Sequence, residues 1–187
     1  YPPVDTEFFQ PGGDPPGEHF LVVSALVPYK KVDLAIDACR LAGVPLRIAG
    51  DGPDRARLER QAGTGVTFLG RLTDDQVRAE YRRARAVILP GAEDFGIVPV
   101  EAQACGRPVV AFARGGALET VVDGETGALF PEPSAGALAA ALERATSLGA
   151  DPAALRAHAL QFSRARYLRE MRAVVDETLA SPPEARW

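Results

Sequence analysis

The stretch Ala86-Val87-Ile88-Leu89-Pro90-Gly91-Ala92-Glu93-Asp94-Phe95-Gly96-Ile97-Val98-Pro99-Val100-Glu101 reads as a short apolar strand, a turn and the opening of a helix. Glu93 lies just past the apolar run, at a strand's carboxyl end, where open α/β sheets place their ligands. Pro99 suits a first helical turn because its missing N–H would have been unpaired there. The amides near Gly96, Ile97 and Val98 are therefore expected to point outward, and free amides at a helix start attract phosphate. Glu101 follows Ile97 by four positions and shares its helix face. It sets a two-oxygen acceptor, of the kind that grips a ribose diol, beside the phosphate cradle.

Working outward from this stretch, apolar runs alternate with helical patterns. Strands are expected over 20–24, 45–49, 66–69, 86–89 and 108–112, with helices over 30–42, 53–61, 74–84 and 98–105 between them. Such alternation gives parallel βαβ units, here a doubly wound sheet with helices on both faces. Gly127 to Phe130 adds a sixth strand after the turn Asp123-Gly124-Glu125-Thr126-Gly127. Ser134 is a cap for an alanine-rich helix ending near Gly149, Asp151-Pro152 starts another, and Ser163 caps a last one running to about Ala180. Three regions follow: a linker over 1–19, rich in Pro, Gly and Asp and extended rather than packed; a domain over 20–162; and a helix and tail over 163–187. The last helix carries a stripe of Tyr167, Leu168, Met171, Val174, Val175 and Leu179, either packing on its own domain or crossing to a second one. The Pro-rich end, Ser181-Pro182-Pro183, reads as frayed.

Bulk properties narrow the function. A chain of 187 residues with 47% hydrophobic content buries one full core. A net charge of -4 argues against a nucleic-acid footprint, which is basic. No apolar stretch approaches the ~20 residues that span a bilayer, and Tyr1-Pro2-Pro3-Val4-Asp5 lacks signal-peptide form, so a cytoplasmic protein is expected. Cys39 and Cys105 fall in expected helices without metal-type spacing and read as buried free thiols. His19 and His158 are isolated, which favours structural or surface roles. No G-x-S-x-G elbow, P-loop or G-x-G-x-x-G is present, which weakens hydrolase, NTPase and dehydrogenase readings.

Other strand ends contribute candidates. The loop Ala25-Leu26-Val27-Pro28-Tyr29 leads to Lys30 and Lys31, and Lys30 is placed to balance a diphosphate at a helix start. Taken alone, the two lysines read more readily as a solvated pair beside Asp33, and it is the motif at 93–101 that reverses this preference. Gly50 and Gly52, in Gly50-Asp51-Gly52-Pro53, permit close backbone approach by a ligand, although the same turn is ordinary loop chemistry. Arg71 ends Phe68-Leu69-Gly70-Arg71, whose backbone can edge a nucleobase. Arg114, Gly115 and Gly116 open a further loop, either a second phosphate-side wall or a flexible turn before a short helix.

Together these segments resemble the donor-binding, carboxy-terminal half of a GT-B enzyme of retaining glycosyltransferase family 4, the glycosyl transferases of group 1. The resemblance spans roughly residues 20–130 and rests on Glu93 through Val109, the loop around Lys30, Gly50-Asp51-Gly52-Pro53, Phe68-Leu69-Gly70, Gly115-Gly116-Ala117-Leu118-Glu119 and Asp123 through Gly127. The wording Glu-Asp-Phe-Gly-Ile-Val-Pro-Val-Glu and the opening Tyr-Pro-Pro-Val-Asp are similar to mannosyltransferases of the O-antigen type.

The resemblance implies a Rossmann-like domain binding a nucleotide-sugar, with Lys30 on the diphosphate and the Gly96 and Ile97 amides on its outer phosphate. Phe95 and Val98 flank that loop, Glu93 reaches the sugar hydroxyls and Glu101 the ribose. Glu93 and Lys30 are the catalytic candidates. Glu93 is a nucleophile in a double displacement, or a positioning group in a front-face reaction where the departing phosphate helps deprotonate the acceptor; the second fits better. Lysine plus helix amides stabilise the leaving diphosphate, so neither metal nor cofactor is implied. The implied parent transfers a hexose, mannose from GDP-mannose, to a glycan or lipid-linked acceptor held by an N-terminal domain that this chain does not supply, and any membrane contact at the inner face belongs to that half. Alone, this domain is expected to be inactive. One departure stands out: family members commonly carry arginine where this chain has Ala25. Losing a charge-assisted pair weakens donor binding by roughly 1.5–3 kcal/mol, and Lys31 and Arg114 are candidates to compensate. A degenerate nucleotide-sugar-binding module and a GT-B sugar-nucleotide epimerase are the alternatives.

Overall fold

The computed structural model describes residues 1–13 and 15–180. The frayed end expected at Ser181-Pro182-Pro183 lies outside them. Six strands form one parallel sheet: β1 (Phe20–Val23), β2 (Leu46–Ala49), β3 (Val66–Gly70), β4 (Ala86–Leu89), β5 (Val109–Phe112) and β6 (Gly127–Phe130), in the order β3-β2-β1-β4-β5-β6. Between and after them run α1 (Val32–Ala42), α2 (Arg55–Gln61), α3 (Asp74–Arg83), α4 (Ile97–Ala104), α5 (Ala117–Thr120), α6 (Ala135–Ser147), α7 (Pro152–Ala159) and α8 (Arg164–Ala180). This is the doubly wound, Rossmann-like arrangement that the alternation predicts.

The strands read as continuous apolar runs because both sheet faces are covered. Successive side chains point to opposite faces. Phe20, Val22, Ile48, Ile88 and Val110 meet α1 and α6 through Ile36, Leu138 and Leu142. Leu21, Val87, Leu89, Val109 and Ala111 meet α3, α4 and α7 through Tyr81, Val100 and Ala159. Cys39 and Cys105 are free and buried, as expected, and burial pushes both thiols up to about 12.

The strand order reverses between β1 and β4, and their pairing there is short. Only Phe20 with Ala86 and Leu21 with Val87 are in register, whereas β1 runs against β2 over four residues. Beyond Leu21 and Val87 the two carboxyl ends part. One loop leads to α1 on one face, the other to α4 on the opposite face, and a crevice opens between them.

Local departures from the expected elements have identifiable causes. Residues 30–42 are not one helix: Pro28–Lys30 forms a 3-10 turn, Lys31 takes a left-handed conformation with φ 54°, and α1 begins only at Val32. Lys30 thus ends a tight turn instead of starting a helix. Pro53 precedes α2, whose start is displaced because the Asp54 amide is taken by the Leu26 carbonyl at 3.0 Å. The described residues of 1–19 hold no helix, yet the stretch 4–9 is packed, which differs from the extended linker expected there. Val4, Thr6 and Phe9 are buried, and Arg156 holds the Thr6 and Phe9 carbonyls at 3.1 and 3.0 Å. Apolar residues inside a Pro-Gly-rich composition account for the difference. Ser134 and Asp151 cap α6 and α7 as expected. No residue of α8 is buried, so its stripe of Leu168, Met171, Val174, Val175 and Leu179 does not pack on this domain.

Gly50 has φ 132°, and a Cβ there would lie 1.8 Å from the Ser24 carbonyl oxygen. The loops after β1 and β2 touch at that point. Gly50→Ala is therefore expected to cost at least about 3 kcal/mol in urea unfolding, combining backbone strain with overpacking; a loss under about 1 kcal/mol contradicts the close approach.

Candidate functional site

A cleft of about 730 Å³ occupies the β1/β4 crevice. Its walls come from the ends of β1 (Val23, Ser24, Ala25), β2 (Ala49, Gly50, Asp51) and β4 (Leu89), with Arg71 beyond β3, and from the loop Glu93 to Val98. Of the sequence candidates, Lys30, Gly50, Arg71, Glu93, Phe95, Gly96, Ile97 and Val98 converge here.

Lys30 and Glu93 reach across the crevice from its two sides and form an ion pair. Each side chain is about one-fifth exposed, so the pair is less screened than a surface one. The Lys30 ammonium also lies 5.0 Å from the Tyr29 ring centroid. Nearby, Gly96 takes φ 81° at the start of α4, and no side chain caps that helix. Its first amides open into the cleft beside Lys30, and the positive end of the helix dipole adds to the ammonium. Positive potential is thus gathered at this end of the cleft.

Glu101 is four residues beyond Ile97, as the spacing required, and is partly buried next to, though not among, the residues that line the cleft. The Tyr81 hydroxyl donates to its Oε2 at 2.8 Å, which occupies one of the two acceptor oxygens. The phenol itself is wholly buried, which keeps its hydroxyl protonated. An isolated sequence gives no sign of this partner, because Tyr81 reads simply as an apolar position of α3.

Several candidates serve the backbone instead. The Gly50 amide donates to the Gly70 carbonyl at 2.8 Å, and the close approach it permits is by Ser24, not by a ligand. Gly52 does not line the cleft; a Cβ there would sit 2.4 Å from the Leu26 oxygen. Gly115 and Gly116 are not among the residues that line the cleft. The Gly116 amide donates to the Glu93 carbonyl at 2.8 Å, and Cβ atoms at 115 and 116 would lie 2.3 and 2.2 Å from the Glu93 and Phe95 oxygens. These glycines press one loop against the other and fix Glu93 from behind. Lys31 and Arg114 line a neighbouring cavity with Pro90 and Phe112. Lys30 and Arg71 are the cations of the cleft wall, and Arg71 makes no ion pair among the described residues.

His158 Nδ1 contacts Gln103 Oε1 at 2.6 Å, a structural role. Among the described residues there is no cluster of three or more His, Cys, Asp or Glu able to hold a metal, and no helix long and apolar enough to cross a membrane.

Fold and cleft together define a doubly wound α/β domain of the GT-B kind, with its cleft at the switch point of the strand order. The chain belongs to the glycosyl transferases group 1 family, whose model matches residues 4–162. It is 38% identical, over 87% of its length, to the D-inositol 3-phosphate glycosyltransferase of Mycolicibacterium smegmatis, and covers 43% of that protein. It thus spans less than half of that relative's length. Among solved structures, sucrose-phosphate synthase from Thermosynechococcus elongatus superposes with a TM-score of 0.80 at 26% identity, over 97% of this chain and 52% of that one. Anabaena HepE in complex with UDP and glucose gives 0.76 at 24% identity, over 97% and 56%.

Burial holds the Glu101 carboxyl above its usual range, the Tyr81 hydrogen bond opposes this, and the Asp74 charge adds to the rise. An acid raised in the folded state ionises first in the unfolded chain. Its contribution to stability is therefore lost as pH climbs through the ordinary carboxylate range towards the raised value. Tyr81→Phe is expected to move the Glu101 midpoint, read by carboxyl NMR, further upward and to cost about 1–3 kcal/mol at neutral pH. An unmoved midpoint contradicts the pairing.

Proposed function

We propose that this chain is the donor-binding half of a retaining hexosyltransferase that moves a sugar from a nucleoside diphosphate to an acceptor hydroxyl. The observation that carries the proposal is the uncapped start of α4, open to the same cleft as Lys30 and Glu93. The outer phosphate rests on the Gly96 and Ile97 amides, with Phe95 and Val98 flanking. A diphosphate carries more charge than a carboxylate, so its arrival draws Lys30 away from Glu93. The freed carboxylate then accepts hydrogen bonds from the sugar. Lys30 and the α4 amides stabilise the leaving diphosphate as its bond to the sugar breaks, and departing phosphate assists deprotonation of the acceptor on the same face. Arg71, at the β3 end, edges the base and supplies the second cation in place of an arginine at position 25. Glu101 uses its remaining oxygen for the ribose. No metal or cofactor enters the scheme.

The wording of residues 93–101 supports mannose from GDP-mannose. A UDP-sugar is the second reading, favoured by the UDP complex of HepE. The acceptor is a glycan or lipid-linked sugar, held by an N-terminal domain of a longer cytoplasmic parent against which the uncovered stripe of α8 packs. That this chain spans 43% of its M. smegmatis relative supports such a parent; the domain alone binds donor and turns over nothing.

Calorimetric titration with GDP, UDP, ADP and their sugar conjugates tests the scheme. Lys30→Ala is expected to weaken every diphosphate by about 1.5–3 kcal/mol. Glu101→Ala weakens all nucleotides, whereas Glu93→Ala removes only the increment contributed by the sugar. Equal losses for nucleotide and conjugate in Glu93→Ala overturn its assignment, and an epimerase would release free sugar epimer where transfer is expected.

A further inference from the structure

Phe95, one residue before the Gly96 turn, is held between two rings. Tyr1 stacks on it with centroids 5.6 Å apart and planes at 27°, and Phe162 meets it edge-on at 5.6 Å. Tyr1 and Phe162 also touch each other, edge-on at 5.2 Å, so the three rings close a triangle. The two flanking rings belong to segments that are themselves joined. The Val4 amide donates to the Phe162 carbonyl at 2.9 Å, the Arg164 amide donates to the Val4 carbonyl at 3.2 Å, and Val4 pairs with Ser163 as in a parallel sheet.

The same bracing reaches the far end of α4. His158 lies edge-on to Phe162 at 5.8 Å, and its Nδ1 contacts Gln103 Oε1. The Gln103 amide nitrogen donates to the Thr120 carbonyl at 2.7 Å, which orients the side chain so that His158 Nδ1 is the donor in that bond. Phe95 precedes the first turn of α4 and Gln103 lies in its last. Residues 158–162 therefore hold the helix at both ends, and with no side-chain cap at its start, this packing governs where the first amides lie.

We propose that Tyr1 and Phe162 are positioning residues for the Gly96 and Ile97 amides, acting through Phe95. They make nucleotide affinity sensitive to the placement of the paired segments 1–9 and 160–164. The inference rests on the donor reading of the 93–101 loop and adds a mechanical link to it. Any motion that shifts the paired segments shifts the phosphate cradle with them.

Titration of wild type, Tyr1→Ala, Tyr1→Phe and Phe162→Leu with UDP and GDP tests this, alongside amide NMR shifts of Gly96 and Ile97 without nucleotide and thermal unfolding. Tyr1 is 60% exposed, so Tyr1→Ala should leave unfolding nearly unchanged. It should nevertheless weaken the preferred nucleotide by about threefold to tenfold, the worth of an aromatic pair, and move both amides. Tyr1→Phe should bind as wild type, since it keeps both ring contacts and loses only the hydroxyl. Phe162→Leu should weaken binding in the same sense. Wild-type affinity and unmoved amides in Tyr1→Ala overturn the proposal, as does a Tyr1→Phe loss equal to that of alanine. Wild type that binds neither nucleotide overturns the donor reading instead; in that case the amide shifts alone decide, moved amides supporting the link and unmoved amides overturning it.

Discussion

The ion pair between Lys30 and Glu93 spans the crevice where the strand order turns back on itself, and the other features of the site take their places around it. β1 and β4 share only two registered pairs, so the chain beyond each must leave in a different direction. One side delivers a lysine at the end of a 3-10 turn, the other a glutamate ahead of a helix start. With each partner about one-fifth exposed, this pair of opposite charges is screened less by water than a surface pair. On the proposed reading, the same two side chains handle phosphate and sugar.

Much of this was legible in the residues. Apolar runs of four or five separated by helical patterns admit little besides a parallel sheet, and the strands at 86–89 and 127–130 have the expected limits. The loop from Glu93 to Val98 was readable because glycine, proline and acidic residues there each carry a positional meaning. What stayed hidden depends on contacts between loops far apart in sequence. Gly50, Gly52, Gly115 and Gly116 resemble ligand-facing glycines in a one-dimensional reading, but each is set by a neighbouring carbonyl oxygen 1.8 to 2.4 Å from a hypothetical Cβ. The Tyr81 hydroxyl on Glu101 joins two helices whose registers no local pattern reveals. Likewise, Val4 and Phe9 are too few to register against a Pro-Gly-rich background, yet they bury fully enough to fasten the first residues to the body.

Polar satisfaction explains why the glycine-rich loop after β5 matters despite standing outside the cleft. By donating to the Glu93 carbonyl, Gly116 fixes the backbone that carries the Glu93 side chain. Support of this kind, placed behind a functional group, limits its freedom without competing for the ligand. The aromatic triangle around Phe95 acts in the same manner one residue before the helix start. On the proposed reading, the phosphate cradle is therefore preorganised chiefly by backbone and ring packing, with few charged groups committed to it.

The most direct test is a crystal structure of this chain with a bound nucleoside diphosphate. The account predicts the outer phosphate against the amides of Gly96, Ile97 and Val98, with the Lys30 ammonium moved from Glu93 to a phosphate oxygen. A phosphate bound instead between Lys31 and Arg114, with the Lys30–Glu93 pair intact, would contradict it.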